Sequence, residues 1–178
     1  MRATFALLAD TRTANFVRKI AWGVHVRHGT GLRAARVPPH VSLKQPFRID
    51  ELFLLDEFMT EFARGMPPIE VRLPRFAVAP TPSGDGVLWI DVAENSRLRR
   101  LHDLLHEALT RRFGDVHADF DGAPYKFHMT VAVGGPPVER YQQILAELPP
   151  VRMRCRLSRL ALFVYDEPFG ESGDFLAY

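Results

Sequence analysis

The chain has 178 residues, 47% of them apolar and 25% charged, with a net charge of +2. This is the composition of a globular protein with one sizeable core, not of a disordered tail or a fibre, and its balanced charge tolerates a polyanion without demanding one. No apolar run reaches the roughly 20 residues of a membrane span, and the opening MRATFALLAD lacks a signal-peptide pattern. A single cysteine, Cys155, excludes internal disulfides and multi-cysteine metal sites. A cytoplasmic monomer is the expectation.

ATFALLA (3–9) has the length and composition of a strand. Asp10 or Thr11 then caps a helix whose apolar face is Phe16, Val17, Ile20 and Val24. RHGTGLRAARVPP reads as a loop, and HVSLKQPF (40–47) as a strand. Asp50 is placed to cap a helix carrying Phe53, Leu54, Phe58 and Phe62 and stopped by Gly65. IEVRLPRFAVAP (69–80) alternates like a strand, with Pro74 pointing to an edge or a bulge.

TPSGDG is the strongest turn signal in the chain, and after it the order of elements starts again. VLWIDVA (87–93) is a strand; Asn95 or Ser96 caps a helix with the stripe Leu98, Leu101, Leu105, Ala108 and Leu109. KFHMTVAV (126–133) is a strand, PPVERYQQILAEL a short helix, and VRMRCRLSRLALFVY (151–165) one long alternating strand. Each half, about 1–82 and 83–178, therefore reads strand, helix, loop, strand, helix, strand. The expected architecture is one bilobal α+β domain over 1–178, with a pseudo-twofold axis and two antiparallel-type sheets facing a central cleft.

The third element of each half, counting helices and strands, holds the chemistry. His40 and Ser42 stand at i and i+2, as do His128 and Thr130. In a strand such pairs share one face, roughly 6.5–7 Å apart, while Val41 and Met129 turn the other way. Two imidazoles and two hydroxyls across a cleft suit reaction at phosphorus. One imidazole takes a proton from the attacking oxygen and the other gives one to the leaving oxygen. The hydroxyls donate hydrogen bonds to the non-bridging oxygens, and no metal or cofactor is required. A third triplet, His28-Gly29-Thr30, lies in glycine-bearing sequence with no apolar strand around it and reads as background.

At HVSL (40–43) and HMTV (128–131) the chain resembles the 2H phosphoesterase superfamily, close to its bacterial 2′-5′ RNA ligase-like, cyclic phosphodiesterase branch. The resemblance covers essentially the whole chain. It implies His40 and His128 as the acid/base pair and Ser42 and Thr130 as phosphate ligands. It further implies metal-independent opening of 2′,3′-cyclic phosphates or related cyclic phosphodiesters, with an RNA end or small cyclic nucleotide as substrate and reversible 2′-5′ RNA ligation in some members. Serine at position 42 departs mildly from threonine and keeps the hydroxyl. The alternatives are an RNA- or nucleotide-binding module on the same fold that turns nothing over, and a metal-dependent hydrolase using the histidines as ligands.

Strand parity places Lys44 and Lys126 with the histidines, where they could add charge for phosphate or fray into solvent. Phe47, Tyr165 and Phe169 stand near strand ends, where they could stack a base or fill core. His102 and His106 have the i, i+4 spacing of a metal pair, but no further ligand accompanies them and a solvated helix face is expected. Arg152, Arg154 and Arg156 alternate with apolar residues, giving a basic strand face that either meets phosphates or simply meets water; Cys155 falls on the apolar side. His25 and His117 are read as structural.

Overall fold

The computed structural model describes residues 1–118, 121–165 and 175–177. The chain runs β1 (Arg2–Leu8), α1 (Thr11–His28), a 3₁₀ turn (Arg33–Arg36), β2 (His40–Ser42), β3 (Phe47–Arg48), α2 (Leu52–Ala63), β4 (Ile69–Leu73) and β5 (Phe76–Pro80). It continues as β6 (Asp85–Asp91), α3 (Ser96–Phe113), β7 (His128–Pro137), α4 (Val138–Glu147), β8 (Met153–Leu157), β9 (Arg159–Tyr165) and β10 (Phe175–Ala177).

β1 has neighbours on both edges and is buried from Ala3 to Leu7. It pairs antiparallel with β2 and β3 on one side and with β9 on the other, and β10 completes this sheet beyond β9. Alternation then sorts its side chains. Phe5 and Leu7 join the main core, where Phe5 meets Phe58 of α2 edge-on at 5.7 Å between centroids. On the opposite face Ala6, Ala161 and Phe163 form a small cluster, with Leu8, Val37 and Tyr165 packed against it.

The second lobe repeats this plan. β6 lies between β5 and β7, both antiparallel, as β1 lies between β9 and β2. α4 covers one face, and the approach is close: a methyl group built on Gly86 of β6 would fall 2.0 Å from the Tyr141 ring, so only glycine fits. The Tyr141 hydroxyl donates to the Gly134 carbonyl at 2.9 Å, and Gly134 itself has φ +77°, a conformation that favours glycine. β4 and β8 form a separate two-stranded ladder whose apolar residues, Val71 opposite Cys155 and Ile69 opposite Leu157, face inward.

Several expected elements hold. Asp10 caps α1 by accepting from the Thr13 amide at 2.8 Å. Asn95 caps α3 by accepting from the Arg97 and Leu98 amides. TPSGDG makes the β5–β6 hairpin, with Gly84 at φ +88°. Others are corrected. The expected strands 69–80 and 151–165 each break, at Pro74 and near Ser158, and the two pieces enter different sheets. At both breaks two successive residues are exposed and the parity of the apolar positions shifts. HVSLKQPF likewise divides into β2 and β3. Asp50 makes no cap: α2 starts after Glu51 without a side-chain cap bond, and Phe53 is 69% exposed.

Candidate active site

β2 and β7 carry the two motifs, and both show the same burial pattern: half-buried His40 and Ser42 flank buried Val41, and half-buried His128 and Thr130 flank buried Met129. The alternation therefore turns both pairs off the core. β2 and β7 adjoin, and the charge of His128 opposes protonation of His40, which puts the two imidazoles within electrostatic reach. His40 and Thr130, one from each motif, line a cavity of about 600 Å³ together with Tyr165.

The two imidazoles are anchored alike. His40 Nδ1 lies 2.8 Å from the Pro38 carbonyl and His128 Nδ1 lies 2.9 Å from the Lys126 carbonyl, each two residues back. A carbonyl only accepts, so Nδ1 must hold a hydrogen in both rings, which leaves Nε2 as the atom that exchanges a proton. Their surroundings differ. His40 packs edge-on against Phe163, 4.7 Å between centroids. Burial, assisted by the His128 charge, lowers its pKa to about 4, so it is neutral near pH 7. His128 instead lies beside Trp89, whose indole N–H donates to Asp91, while Asp91 also accepts from Arg75 at 2.7 Å. Asp91 is the cross-strand partner of His128, and Trp89 that of Thr130.

Behind the first motif, three successive carbonyls each receive a side-chain donor. Tyr125 Oη donates to the Ser42 carbonyl at 3.0 Å, His102 Nδ1 to the Leu43 carbonyl at 2.6 Å, and Thr4 Oγ1 to the Lys44 carbonyl. Tyr125 stacks on His102, with 4.4 Å between centroids, and stands three residues before His128, so the brace links the two motifs.

The brace explains the misplaced residues. Lys44 does not face the cleft: β2 ends at Ser42, and the Lys44 ammonium is fully buried against the Asp121 carboxylate. Burial disfavours its charged form, and Asp121 offsets part of that. Phe47 is 3% exposed and stacks on Phe5, so it is core and offers no face to a substrate. Lys126 is exposed and lies outside the cavity wall, as does half-buried Ser42. Tyr165 is on the wall, and burial pushes its hydroxyl up to about 12. Phe169 lies outside the described residues. His102, expected on a solvated face, is 1% exposed. Its position shows why: Leu98, His102, Leu105 and Leu109 fall at i, i+4, i+7 and i+11, so the histidine belongs to the apolar stripe. Arg154 and Arg156 on β8 and Arg152 just before it are exposed and do not line the cavity, and Cys155 is a buried thiol whose pKa burial raises. The third triplet sits at the end of α1, with Gly29 as its left-handed cap and His28 3.2 Å from Glu147.

The sequence model of the 2′-5′ RNA ligase superfamily matches residues 9–168. The chain belongs to this family of 2H phosphoesterases. A Staphylococcus haemolyticus protein assigned by name to the phosphoesterases is 28% identical over 138 residues, 75% of each chain. A Geobacillus kaustophilus protein of the same designation is 33% identical over 78 residues, 42% of this chain; the match covers 43% of that relative's length. Among solved structures, a Thermus thermophilus protein superposes with a TM-score of 0.67 at 19% identity, covering 99% of this chain and 94% of that one. Escherichia coli LigT, solved with 3′-AMP, gives 0.61 at 15% identity over 99% and 94%. These structures establish the 2H fold for the chain. Among the described residues no helix is long and apolar enough to cross a membrane.

Proposed function

We propose that the protein is a metal-independent phosphodiesterase that opens 2′,3′-cyclic phosphates at RNA ends or in a related small cyclic phosphodiester. The observation that carries this reading is the matched anchoring of His40 and His128, each held through Nδ1 by the carbonyl two residues back. His40, neutral near pH 7, takes a proton from the attacking water through Nε2. As the water oxygen bonds to phosphorus, one bridging P–O bond breaks, and His128 protonates the departing ribose oxygen. Thr130 and Ser42 donate to the non-bridging oxygens, where charge gathers. A 5′-hydroxyl in place of water turns the same steps toward 2′-5′ ligation. Tyr165, which lines the same cavity as His40, is the aromatic proposed to pack against the nucleoside.

The test is a turnover screen of 2′,3′-cyclic mononucleotides, 3′,5′-cyclic nucleotides and oligoribonucleotides ending in a cyclic phosphate, with and without EDTA. Turnover confined to the 2′,3′-cyclic substrates and unchanged by chelation is expected. Activity that chelation removes and zinc or magnesium restores would defeat the reading.

A further inference from the structure

The cavity that His40 lines has both apolar and basic residues on its wall. Its apolar lining is Val37 and Pro38 from the segment before β2 and Val87, Val131 and Val133 from β6 and β7. Three arginines also line it: Arg18 from α1, and Arg33 and Arg36 from the ends of the 3₁₀ turn. One carboxylate, Asp85, shares the wall, and it accepts from the Ser83 hydroxyl at 3.1 Å. None of the three guanidiniums has an ion-pair partner among the described residues.

Three arginines against a single carboxylate make the cavity lining net cationic, and an anion bound there would be favoured by that charge. Guanidinium is weakly hydrated and presents a planar fork of donors that matches phosphate. The distance to the reacting centre is bounded by the chain itself. Arg36 precedes His40 by four residues, so their Cα atoms lie no more than about 14 Å apart. One ligand of modest size therefore spans both ends, and a cavity of about 600 Å³ falls within the roughly 300–1,000 Å³ of small-molecule sites.

We infer that Arg18, Arg33 and Arg36 form a subsite for a second phosphate, so that the preferred substrate is a cyclic phosphodiester whose nucleoside lies on the valine–proline wall and carries another phosphate beyond it. The inference rests on the phosphodiesterase reading above and adds to it the requirement for a second anion. That phosphate belongs either to a preceding RNA nucleotide or to a 5′-phosphorylated mononucleotide; the subsite chemistry is the same.

The experiment compares kcat/KM for three probes: a nucleoside 2′,3′-cyclic phosphate with a free 5′-hydroxyl, the same compound with a 5′-phosphate, and a trinucleotide ending in a 2′,3′-cyclic phosphate. At least a tenfold preference for the 5′-phosphate over the 5′-hydroxyl is expected, carried by KM and shrinking as salt rises. A trinucleotide gaining as much identifies RNA as the source of the phosphate; a trinucleotide gaining less identifies a small nucleotide. In Arg33→Gln/Arg36→Gln, checked for an unchanged melting temperature, the preference should fall close to one, and Arg33→Lys/Arg36→Lys should recover part of it. Equal kcat/KM for the 5′-hydroxyl and 5′-phosphate probes in the wild type, or a preference that survives the glutamine variant, overturns the subsite alone. No turnover of any probe overturns the phosphodiesterase reading and the subsite with it.

Discussion

His40 and His128 occupy matching positions in two similarly built strands, yet their settings diverge. His40 leans on Phe163 in an apolar face, and its strand is braced from behind by Tyr125, His102 and Thr4. His128 starts a ten-residue strand and sits beside Trp89 and opposite Asp91, which accepts from the Trp89 indole and from Arg75. The backbone geometry is duplicated and the electrostatics are not. A symmetric pair of imidazoles has no reason to divide the roles of base and acid, whereas burial against an apolar neighbour keeps His40 neutral near pH 7.

The sharpest way to break the comparison is to delete either ring. His40→Ala and His128→Ala should each lower kcat/KM by about 10²- to 10⁴-fold. The two should differ in pH profile. His40 must be neutral to accept a proton, and with its pKa lowered to about 4 the wild-type acid limb should lie well below pH 6.5. That limb should vanish from the residual activity of His40→Ala and persist in His128→Ala. An acid limb at 6.5 in the wild type would undo the assignment.

Next in size is the brace. Lys44→Met leaves the Asp121 carboxylate buried without its cation, a loss of about 3–5 kcal/mol. Urea denaturation should show it, and the double variant Lys44→Met/Asp121→Leu should recover most of the stability. An unchanged midpoint for Lys44→Met would mean that the pair contributes nothing.

The hydroxyls come third. Thr130→Val and Ser42→Ala should each cost about 10²- to 10³-fold in kcat without moving either limb of the pH profile. Phosphate found on Ser42 by mass spectrometry of enzyme quenched in turnover would make it a nucleophile and sink its role as a donor. The smallest effect belongs to Tyr125→Phe, which removes one donor from the Ser42 carbonyl and should cost about 0.5–1.5 kcal/mol. A drop in kcat beyond that stability loss, measured well below the melting temperature, would show that the brace also sets the position of Ser42.

The features legible in the sequence were those written in local periodicity. His-x-Ser and His-x-Thr turn their polar atoms to one face because strands alternate, and the burial of Val41 and Met129 follows from the same rule. Caps at Asp10 and Asn95 were legible because the competing hydrogen bond is two or three residues away. What escaped was long-range. Lys44 looked like a cleft residue until Asp121, 77 positions later, drew it into the core. The strands 69–80 and 151–165 read as continuous because strand-forming residues run on past Pro74 and Ser158, where only the parity of the apolar residues shifts, and the choice of sheet is made by partners far away in sequence. His102 was within reach of a count of helical positions that also included polar residues.

β1 is the second to eighth residue of the chain, and its full-length partner is β9, at residues 159–165. During synthesis the strand that centres the first lobe therefore emerges with one long edge unpaired, and it stays so until residues 159–165 have been made. Its apolar run must wait through the making of the second motif before the sheet closes. Such sequence-distant pairing slows folding, since loop closure comes before the contacts that reward it. The exposed edge of the nascent first lobe is thus a natural client for a chaperone that holds extended apolar segments, and synthesis rate should govern how much of the protein reaches its native form.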